Sequence, residues 1–246
     1  MAGYTRAKVR EEYYSLEMLL QEVSKKVDDV IFDLSRHNVD TTPSKKKRFV
    51  ITTAVVGANI NKAFYKSIKT YCAKNDAELN VLISVNKATG HQILPIELKD
   101  EKFVLTDTEL NSNLFILGIR NSAAQADPIT GLPRIGQRNG TFICPSPKQR
   151  LKYVATGPNK LPHAIMSTGA ITTPNYIKSP LMVAKNAYMA DNDHVMGAIV
   201  VELDKGGMFH FRQIECDEQG GFVDLGKYYN KNKISNMAPE AFVLGD

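Results

Sequence analysis

The chain has 246 residues, of which 43% are hydrophobic and 23% charged, and a formal net charge of +5. This composition is typical of a soluble globular protein with one or two domains, and the charge alone is too small to indicate nucleic-acid binding. No apolar run approaches the length that spans a bilayer, so no membrane partner is expected. Cys72, Cys144 and Cys216 are far apart without metal-ligand spacing, which predicts reduced, mostly buried thiols in a cytoplasm-like compartment.

The first forty residues carry the most regular apolar pattern in the sequence. Apolar positions follow one another in steps that alternate between four and three, as in the a/d repeat of a coiled coil. This stripe predicts that residues 1–42 form an amphipathic, coiled-coil-like helix and a linker that make the protein a homo-oligomer. The alternative is a helix packed on its own domain. The predicted oligomerisation residues are Val9, Tyr13, Leu16, Leu20, Val23, Val27, Val30 and Leu34.

A short basic cluster follows the linker. Pro43 ends any helix, and Lys45, Lys46, Lys47 and Arg48 come directly before an apolar run. The cluster is a candidate site for contact with the phosphate backbone of nucleic acid. The alternative is that it is only the solvated start of a strand.

Residues 48–85 predict a βαβ unit. The run RFVITTAVV is apolar and β-branched, and it has the length of a strand. Asn59 and Asn61 offer caps for a helix whose apolar residues recur in steps of three and four, and LNVLISV reads as a second buried strand. Two such strands lie parallel, and ligands of open α/β sheets bind at their carboxyl ends.

The loop at that end, residues 54–59, carries only a weak signal. It holds one glycine, so it lacks the dinucleotide-binding and phosphate-loop fingerprints. The helix N-terminus can still attract an anion; a plain connection between strand and helix is the alternative.

The rest of the sequence predicts mainly β structure. Residues 121–140 are rich in turn-forming residues and read as a long irregular segment. Strands are predicted at 103–105, 114–119, 141–144, 151–155, 164–167, 196–203, 208–215 and 221–225, with a hairpin turn at 204–207 and a short helix at 182–189. The expected fold class is α/β, with a βαβ-containing core at 43–140 and a β-rich part at 141–246.

Candidate nucleophiles occur between residues 161 and 176, where hydroxyls accompany one histidine. Catalysis there would need His163 to meet Ser167 or Thr168, but four residues along a strand is too far for a direct hydrogen bond. A buried strand followed by a turn is therefore the better interpretation. His194 and His210 are isolated and are interpreted as structural or surface residues.

The last predicted element is an apolar strand at 241–244, followed by Gly245 and Asp246. An aspartate at the carboxyl tip of a strand is a favoured position for a metal ligand. Asp246 is accordingly a candidate metal ligand, and the pattern predicts that the natural polypeptide continues beyond it.

Five segments carry a family resemblance. In order, they are RFVITTAVVGANINKAFYKSIKTYCAKNDAEL, NKLPHAIMSTGAITTPNY, GAIVVEL, FHFRQIECDEQGGFVDL and PEAFVLGD. They resemble a region of tailed-phage proteins that lies upstream of, and runs into, a calcineurin-like metallophosphoesterase domain. Some of those proteins are DNA transfer proteins or DNA-degrading enzymes. The resemblance covers residues 48–246 and leaves the N-terminal stripe outside.

The resemblance implies a role in metal-dependent DNA hydrolysis in the cytoplasm of the infected bacterial host. The catalytic domain of the family opens with Gly-Asp-x-His, whose Asp and His bind a metal, and Gly245 and Asp246 match its first half. The longer parent would thus use divalent manganese or magnesium, and this segment alone would hold no cofactor and be inactive.

The expected function is therefore an accessory or assembly part of a phage metal-dependent phosphoesterase, a DNase. One alternative is a stand-alone interaction module that binds a host protein or nucleic acid without catalysis. A second alternative is a self-contained hydrolase built around His163 and Thr168.

Overall fold

The computed structural model of the protein describes residues 30–34, 45–85, 93–158, 162–176 and 184–238. Its strands are, in chain order, β1 (Ile31–Asp33), β2 (Arg48–Val55), β3 (Ala77–Val85), β4 (Ile93–Pro95), β5 (Lys102–Phe103), β6 (Thr108–Asn111), β7 (Leu114–Ile116), β8 (Asn121–Ser122), β9 (Thr141–Cys144), β10 (Arg150–Val154), β11 (His163–Ser167), β12 (Gly197–Leu203), β13 (Phe209–Glu215), β14 (Phe222–Asp224), β15 (Lys227–Asn230) and β16 (Lys233–Asn236). Its α-helices are α1 (Lys62–Asn75), α2 (Pro133–Asn139) and α3 (Ala184–Asn192).

A mixed six-stranded sheet, here called the main sheet, organises the fold. Its strands lie in the order β13-β12-β2-β3-β5, and β8 also pairs with β3. β2, β3, β5 and β8 are parallel, whereas β12 is antiparallel to both β2 and β13. Strands from both sides of residue 140 therefore share one sheet.

A second sheet of five strands packs on one face of the main sheet. Its order is β10-β11-β9-β7-β6, with β7, β9 and β11 parallel and the two edge strands antiparallel to their neighbours. The antiparallel sheet β14-β15-β16 and the two-stranded ladder β1–β4 complete the described strands.

Alternation along β2 sends its side chains into two different cores. Phe49 and Ile51 lie in a cluster with residues of the second sheet, whereas Val50 and Ala54 lie in a cluster with residues of α1. Because successive side chains of a strand point to opposite faces, a strand covered on both faces has a nearly continuous buried run, as β2 has after Arg48. The molecule thus has three layers, with the main sheet in the middle.

The Gln149 side chain joins the two sheets. Gln149 Nε2 donates to the carbonyl oxygens of Thr168 (3.0 Å) and Ile214 (2.9 Å), and so connects the loop before β10 to the edge of the main sheet. Gly197 makes room for it, because a Cβ there would lie 2.5 Å from Gln149 Nε2. A larger residue at position 197 would therefore push the sheets apart.

The βαβ prediction is confirmed in order, direction and capping. β2 and β3 are parallel and flank α1. Asn61 Oδ1 accepts the amides of Ala63 and Phe64, each at 3.1 Å, which satisfies two donors that have no partner within the helix. Asp76 ends the helix in the left-handed conformation, with its amide bonded to the Cys72 carbonyl.

The β-rich prediction for the second half is confirmed in outline. The predicted strand 141–144 has the observed bounds of β9, and the five strands predicted between residues 145 and 238 differ from β10–β14 by one residue at one or both ends. The turn between β12 and β13 also forms as predicted, with Gly206 and Gly207 at φ of 72° and 78°, where other residues are strained. The segment 121–140 is less irregular than predicted, since it contains β8 and α2.

The prediction that a helix extends to Leu34 is wrong for its last residues. Residues 31–33 form β1, which pairs antiparallel with β4, and the Leu34 side chain is buried in the core beside α1. Val30 lies in a turn and is 61% exposed. Pairing with a distant strand here overrides the local a/d spacing. Residues 9–27 of the stripe and residues 241–246 lie outside the described part of the chain.

Replacing Asn61 by alanine is expected to lower the free energy of unfolding by about 1 kcal/mol, because two amides of the first turn of α1 lose their acceptor. Urea denaturation measures this as a lower midpoint at unchanged slope. Asn59→Ala is the matched control, since the exposed Asn59 accepts the Thr173 amide through its backbone. Equal losses in the two variants would contradict the capping role.

Candidate functional site

The carboxyl ends of β2, β9 and β11 meet in a buried cluster of hydroxyl groups. Thr53 Oγ1 lies 2.6 Å from Thr168 Oγ1, and the Ser146 amide donates to Thr53 Oγ1 at 3.1 Å. Thr168 Oγ1 is also 3.2 Å from the Ser146 carbonyl oxygen. All three side chains are buried, so the hydroxyls join strand ends to one another and are closed to a substrate.

A buried lysine lies next to this cluster. The Lys148 side chain is only 1% exposed, and its Nζ lies 3.2 Å from Asp193 Oδ2 and 3.4 Å from the Ala126 carbonyl oxygen. Arg150 Nη2 reaches the same Asp193 oxygen at 3.4 Å. A buried ammonium needs a counter-charge, and Asp193 supplies it from the segment after α3. Nothing in the spacing of residues 145–150 predicted this pair.

His194 is held neutral beside the lysine pair. Its Nε2 lies 2.8 Å from the Thr172 carbonyl oxygen and must donate to it, so Nδ1 accepts from the Tyr176 hydroxyl at 2.9 Å. Desolvation by burial lowers the pKa of His194. Burial, followed by the charges of Asp191 and Asp193, raises the pKa of Tyr176. The structural interpretation of His194 agrees with these contacts.

The predicted nucleophiles are not brought together with a base. His163 Nδ1 lies 2.5 Å from the Gly136 carbonyl oxygen at the start of β11. Ser167 Oγ, at the other end of β11, donates to the Lys148 carbonyl at 2.6 Å and accepts the Arg150 amide at 2.9 Å. These contacts leave the hydrolase built around His163 and Thr168 without a geometric basis.

The loop after β2 has little capacity for an anion. The amides of Val56, Gly57 and Ala58 donate to carbonyl oxygens at 2.9–3.1 Å, and the side chain of Asn61 occupies the first helical amides. The plain connection between strand and helix is therefore the better description of residues 54–59.

The basic cluster lines a groove of about 560 Å³ at the opposite end of the main sheet. Lys46 forms an ion pair with Asp76, and Arg48 Nε lies 3.6 Å from Glu202 Oε2. Asp204 and the exposed His210 also line the groove. The groove, here called the basic groove, therefore carries charges of both signs.

Arg48 is the most constrained of the four basic residues, because its partner is itself fixed. Glu202 Oε1 accepts from Arg212 Nη2 at 2.6 Å, and Arg212 Nε donates to Asp224 Oδ1 at 2.6 Å. Asp224 Oδ2 accepts from the Tyr71 hydroxyl of α1 at 2.9 Å. Burial and then the contact with Asp224 raise the pKa of Tyr71. This chain of contacts ties β12, β13, β14 and α1 together.

The three cysteines match the prediction of reduced, mostly buried thiols. Cys72 and Cys144 are buried and Cys216 is half-buried, and all three are free. Burial raises the pKa of each thiol to about 12, which keeps it protonated and unreactive.

The described residues do not fit a metal centre. No group of three or more His, Cys, Asp or Glu side chains among them could hold a metal ion. Asp246, the predicted ligand, lies outside the described part of the chain. No described helix is long and apolar enough to cross a membrane.

Sequence comparisons connect the chain to a phage protein. It is 28% identical over 198 residues to Protein A1 of Escherichia phage T5, which covers 73% of this chain and 34% of Protein A1. It is also 28% identical over 120 residues to the DNA-directed RNA polymerase subunit alpha of Euglena anabaena, covering 44% of this chain and 58% of that subunit. The chain thus spans about a third of one relative and less than two thirds of the other. No family model matches the sequence.

The free energy of unfolding of the wild-type protein is expected to fall between pH 7 and pH 5. In the His194→Gln variant this fall should be smaller. The folded-state pKa of His194 lies below its ordinary 6.5, so the unfolded chain takes up the proton first and acid favours unfolding. The contribution of neutral His194 to the free energy of unfolding is fully present above pH 6.5. It is lost as the pH falls towards the folded-state pKa, by at most about 1.4 kcal/mol per pH unit.

Urea midpoints at several pH values measure this effect. His210→Gln is the matched control, because the His210 side chain is exposed in the basic groove. Parallel pH curves for the wild type and His194→Gln would show that His194 is not the group responsible.

Proposed function

We propose that this chain is an accessory, non-catalytic part of a phage metal-dependent phosphoesterase that acts on DNA. The observation that carries the proposal is the similarity to Protein A1 of phage T5, which extends over 73% of this chain but only 34% of that protein. The resemblance to the region upstream of a calcineurin-like metallophosphoesterase domain supports the same role.

The contacts within the described residues support a positioning role. Groups that could act as acids, bases or nucleophiles hold elements together: Lys148 pairs with Asp193, and Thr53 contacts Thr168. His194 is engaged on both ring nitrogens. Side chains engaged in this way stabilise the fold. They suit a protein that positions a neighbouring domain or offers a binding surface and does not itself catalyse a reaction.

The basic groove is the proposed contact with DNA, and its lysines differ from its arginine. Arg48 pairs with Glu202, and Arg212 holds Glu202 in place. The charge of Arg48 is therefore already paired within the fold. Lys46 pairs with Asp76, whose side chain is 83% exposed. An exposed pair of this kind is worth about 0–1 kcal/mol, which a DNA phosphate can replace. Lys45, Lys46 and Lys47 are therefore the proposed phosphate contacts.

Replacing Lys45, Lys46 and Lys47 together by alanine is expected to weaken DNA binding and to reduce its salt dependence. Each phosphate contact adds about 0.9 to the slope of log affinity against log salt, so the slope should fall by roughly 2–3. Fluorescence anisotropy with a labelled duplex at several salt concentrations measures both quantities.

The matched control replaces three exposed lysines elsewhere, Lys66, Lys227 and Lys233, and changes the net charge equally. If the control variant loses as much DNA affinity as the groove variant, the weaker binding is explained by the lower net charge alone. Wild-type protein that does not bind DNA even at low salt would falsify the DNA contact.

Residues 1–246 alone are expected not to hydrolyse DNA or a simple phosphodiester with added manganese or magnesium. A two-metal site needs several carboxylates and histidines, and Asp246 is the single ligand that the resemblance assigns to this segment. A longer product that continues past Asp246 is expected to be active, and Asp246→Asn in it should abolish most of the activity. Metal-dependent cleavage by the 246 residues would overturn the accessory role.

A further inference from the structure

Several charged side chains of the basic groove are already paired within the fold. Lys46 forms an ion pair with Asp76. Glu202 accepts from Arg212 on one oxygen and lies 3.6 Å from Arg48 Nε with the other. These side chains largely neutralise one another, so recognition of a ligand falls mainly to the other groups that line the groove.

The groove also carries side-chain groups that the fold leaves free. Within the part of the chain that the structure describes, Lys45, Lys47 and His210 have no hydrogen-bond or ion-pair partner. Asp204 Oδ1 accepts the Lys205 amide at 2.7 Å, whereas Asp204 Oδ2 has no partner among the described residues. A ligand of the groove therefore meets two free cations, one free imidazole ring and one free carboxylate oxygen.

These free groups lie on two sides of the groove. The register places Arg48, Glu202 and His210 in one row across β2, β12 and β13. Residues directly opposite one another on paired strands share a face of the sheet. The free lysines directly precede β2, at one end of this row, whereas His210 and Asp204 belong to the β12–β13 hairpin at its other end. The free positive charge is thus on the β2 side, and the ring and the carboxylate are on the hairpin side.

This division of charge suits a single strand of DNA better than a duplex. A duplex presents its phosphates outwards and keeps its bases paired, so a phosphate on the hairpin side would lie close to the carboxylates of Glu202 and Asp204. An unpaired base offers what the hairpin side lacks, a ring face for His210 and an amino group for Asp204 Oδ2. The volume of about 560 Å³ is within the range of pockets that enclose small molecules, so the groove has room for a base.

We infer that the basic groove binds single-stranded DNA, with phosphates at Lys45 and Lys47 and one unpaired base in contact with His210 and Asp204. This inference rests on the proposed contact between the groove and DNA, and it names the form of DNA that the groove prefers. A positively charged track beside a ring on which a base stacks is the usual arrangement for binding a single strand.

Fluorescence anisotropy at low salt compares a labelled single strand with its duplex. The single strand is expected to bind about fivefold more tightly or better, the lower end of the range for one stacked base. His210→Ala should lower the ratio of single-strand to duplex affinity. His210→Phe should retain it, because phenylalanine keeps the ring face without the titratable nitrogens. Met208→Ala is the matched control, since Met208 lies in the same hairpin, is 53% exposed and is outside the lining of the groove.

The contact with Asp204 predicts a preference for oligo(dC) over oligo(dT) at neutral pH. Cytosine carries an amino donor at the position where thymine carries the O4 acceptor. The wild type should therefore bind oligo(dC) about threefold more tightly or better, as expected for one hydrogen bond. Asp204→Asn should remove this preference. Its amide oxygen still accepts the Lys205 amide, and its amide nitrogen then presents a donor in place of Oδ2.

The outcomes separate this inference from the proposed function. A duplex that binds as tightly as the single strand would overturn the inference and leave the DNA contact of the groove standing. A preference for the single strand that survives His210→Ala, or that His210→Phe also loses, would overturn the assigned base contact, and so would a cytosine preference that survives Asp204→Asn. Protein that binds neither form at low salt would fail the proposed function itself, and the inference would fail with it.

Discussion

The rest of the structure depends on the burial of strand β2. All of its side chains from Phe49 to Val55 are buried, so the strand needs partners on both faces and both backbone edges. β3 and β12 pair with its edges, and the cores beside α1 and the second sheet cover its faces. A strand buried in this way explains why the fold has three layers and why the second sheet is needed at all.

Burial of β2 also explains the polar cluster at its carboxyl end. Thr52 Oγ1 donates to the Gly197 carbonyl at 2.8 Å, and Thr53 contacts Thr168. A hydroxyl in such a place is costly unless it is hydrogen-bonded, so each has a partner from a distant part of the chain, Gly197 of β12 or Thr168 directly after β11. A concentration of Ser, Thr and His in the sequence can therefore reflect the needs of a crowded strand end and not an active site.

The parts of the fold that depend on local patterns were predictable. The cap at Asn61, the apolar face of α1 and the two flanking strands lie within about forty residues and follow from periodicity. The pairing of β2 with β12 joins residues 148 to 154 positions apart, from Ile51 with Ile199 to Arg48 with Glu202, and no local pattern encodes it. The ion pair of Lys148 with Asp193 joins residues 45 positions apart, and no local pattern predicts it either. β15 and β16 were missed because each is only four residues long and begins and ends with a polar residue, so KYYN and KISN show no apolar run and no clear two-residue alternation.

The same long-range pairing has a consequence during synthesis. A ribosome adds about 5–20 residues per second, so roughly 7–30 s pass between the emergence of β2 and that of β12. Throughout this interval the apolar run RFVITTAV can pair with β3 but has an open edge where β12 will bind. Unpaired edges of this kind recruit other strands, so the nascent chain is exposed to aggregation before its sheet can close. Rapid production at high temperature should therefore reduce the soluble yield of this protein more than that of a helical protein of equal length.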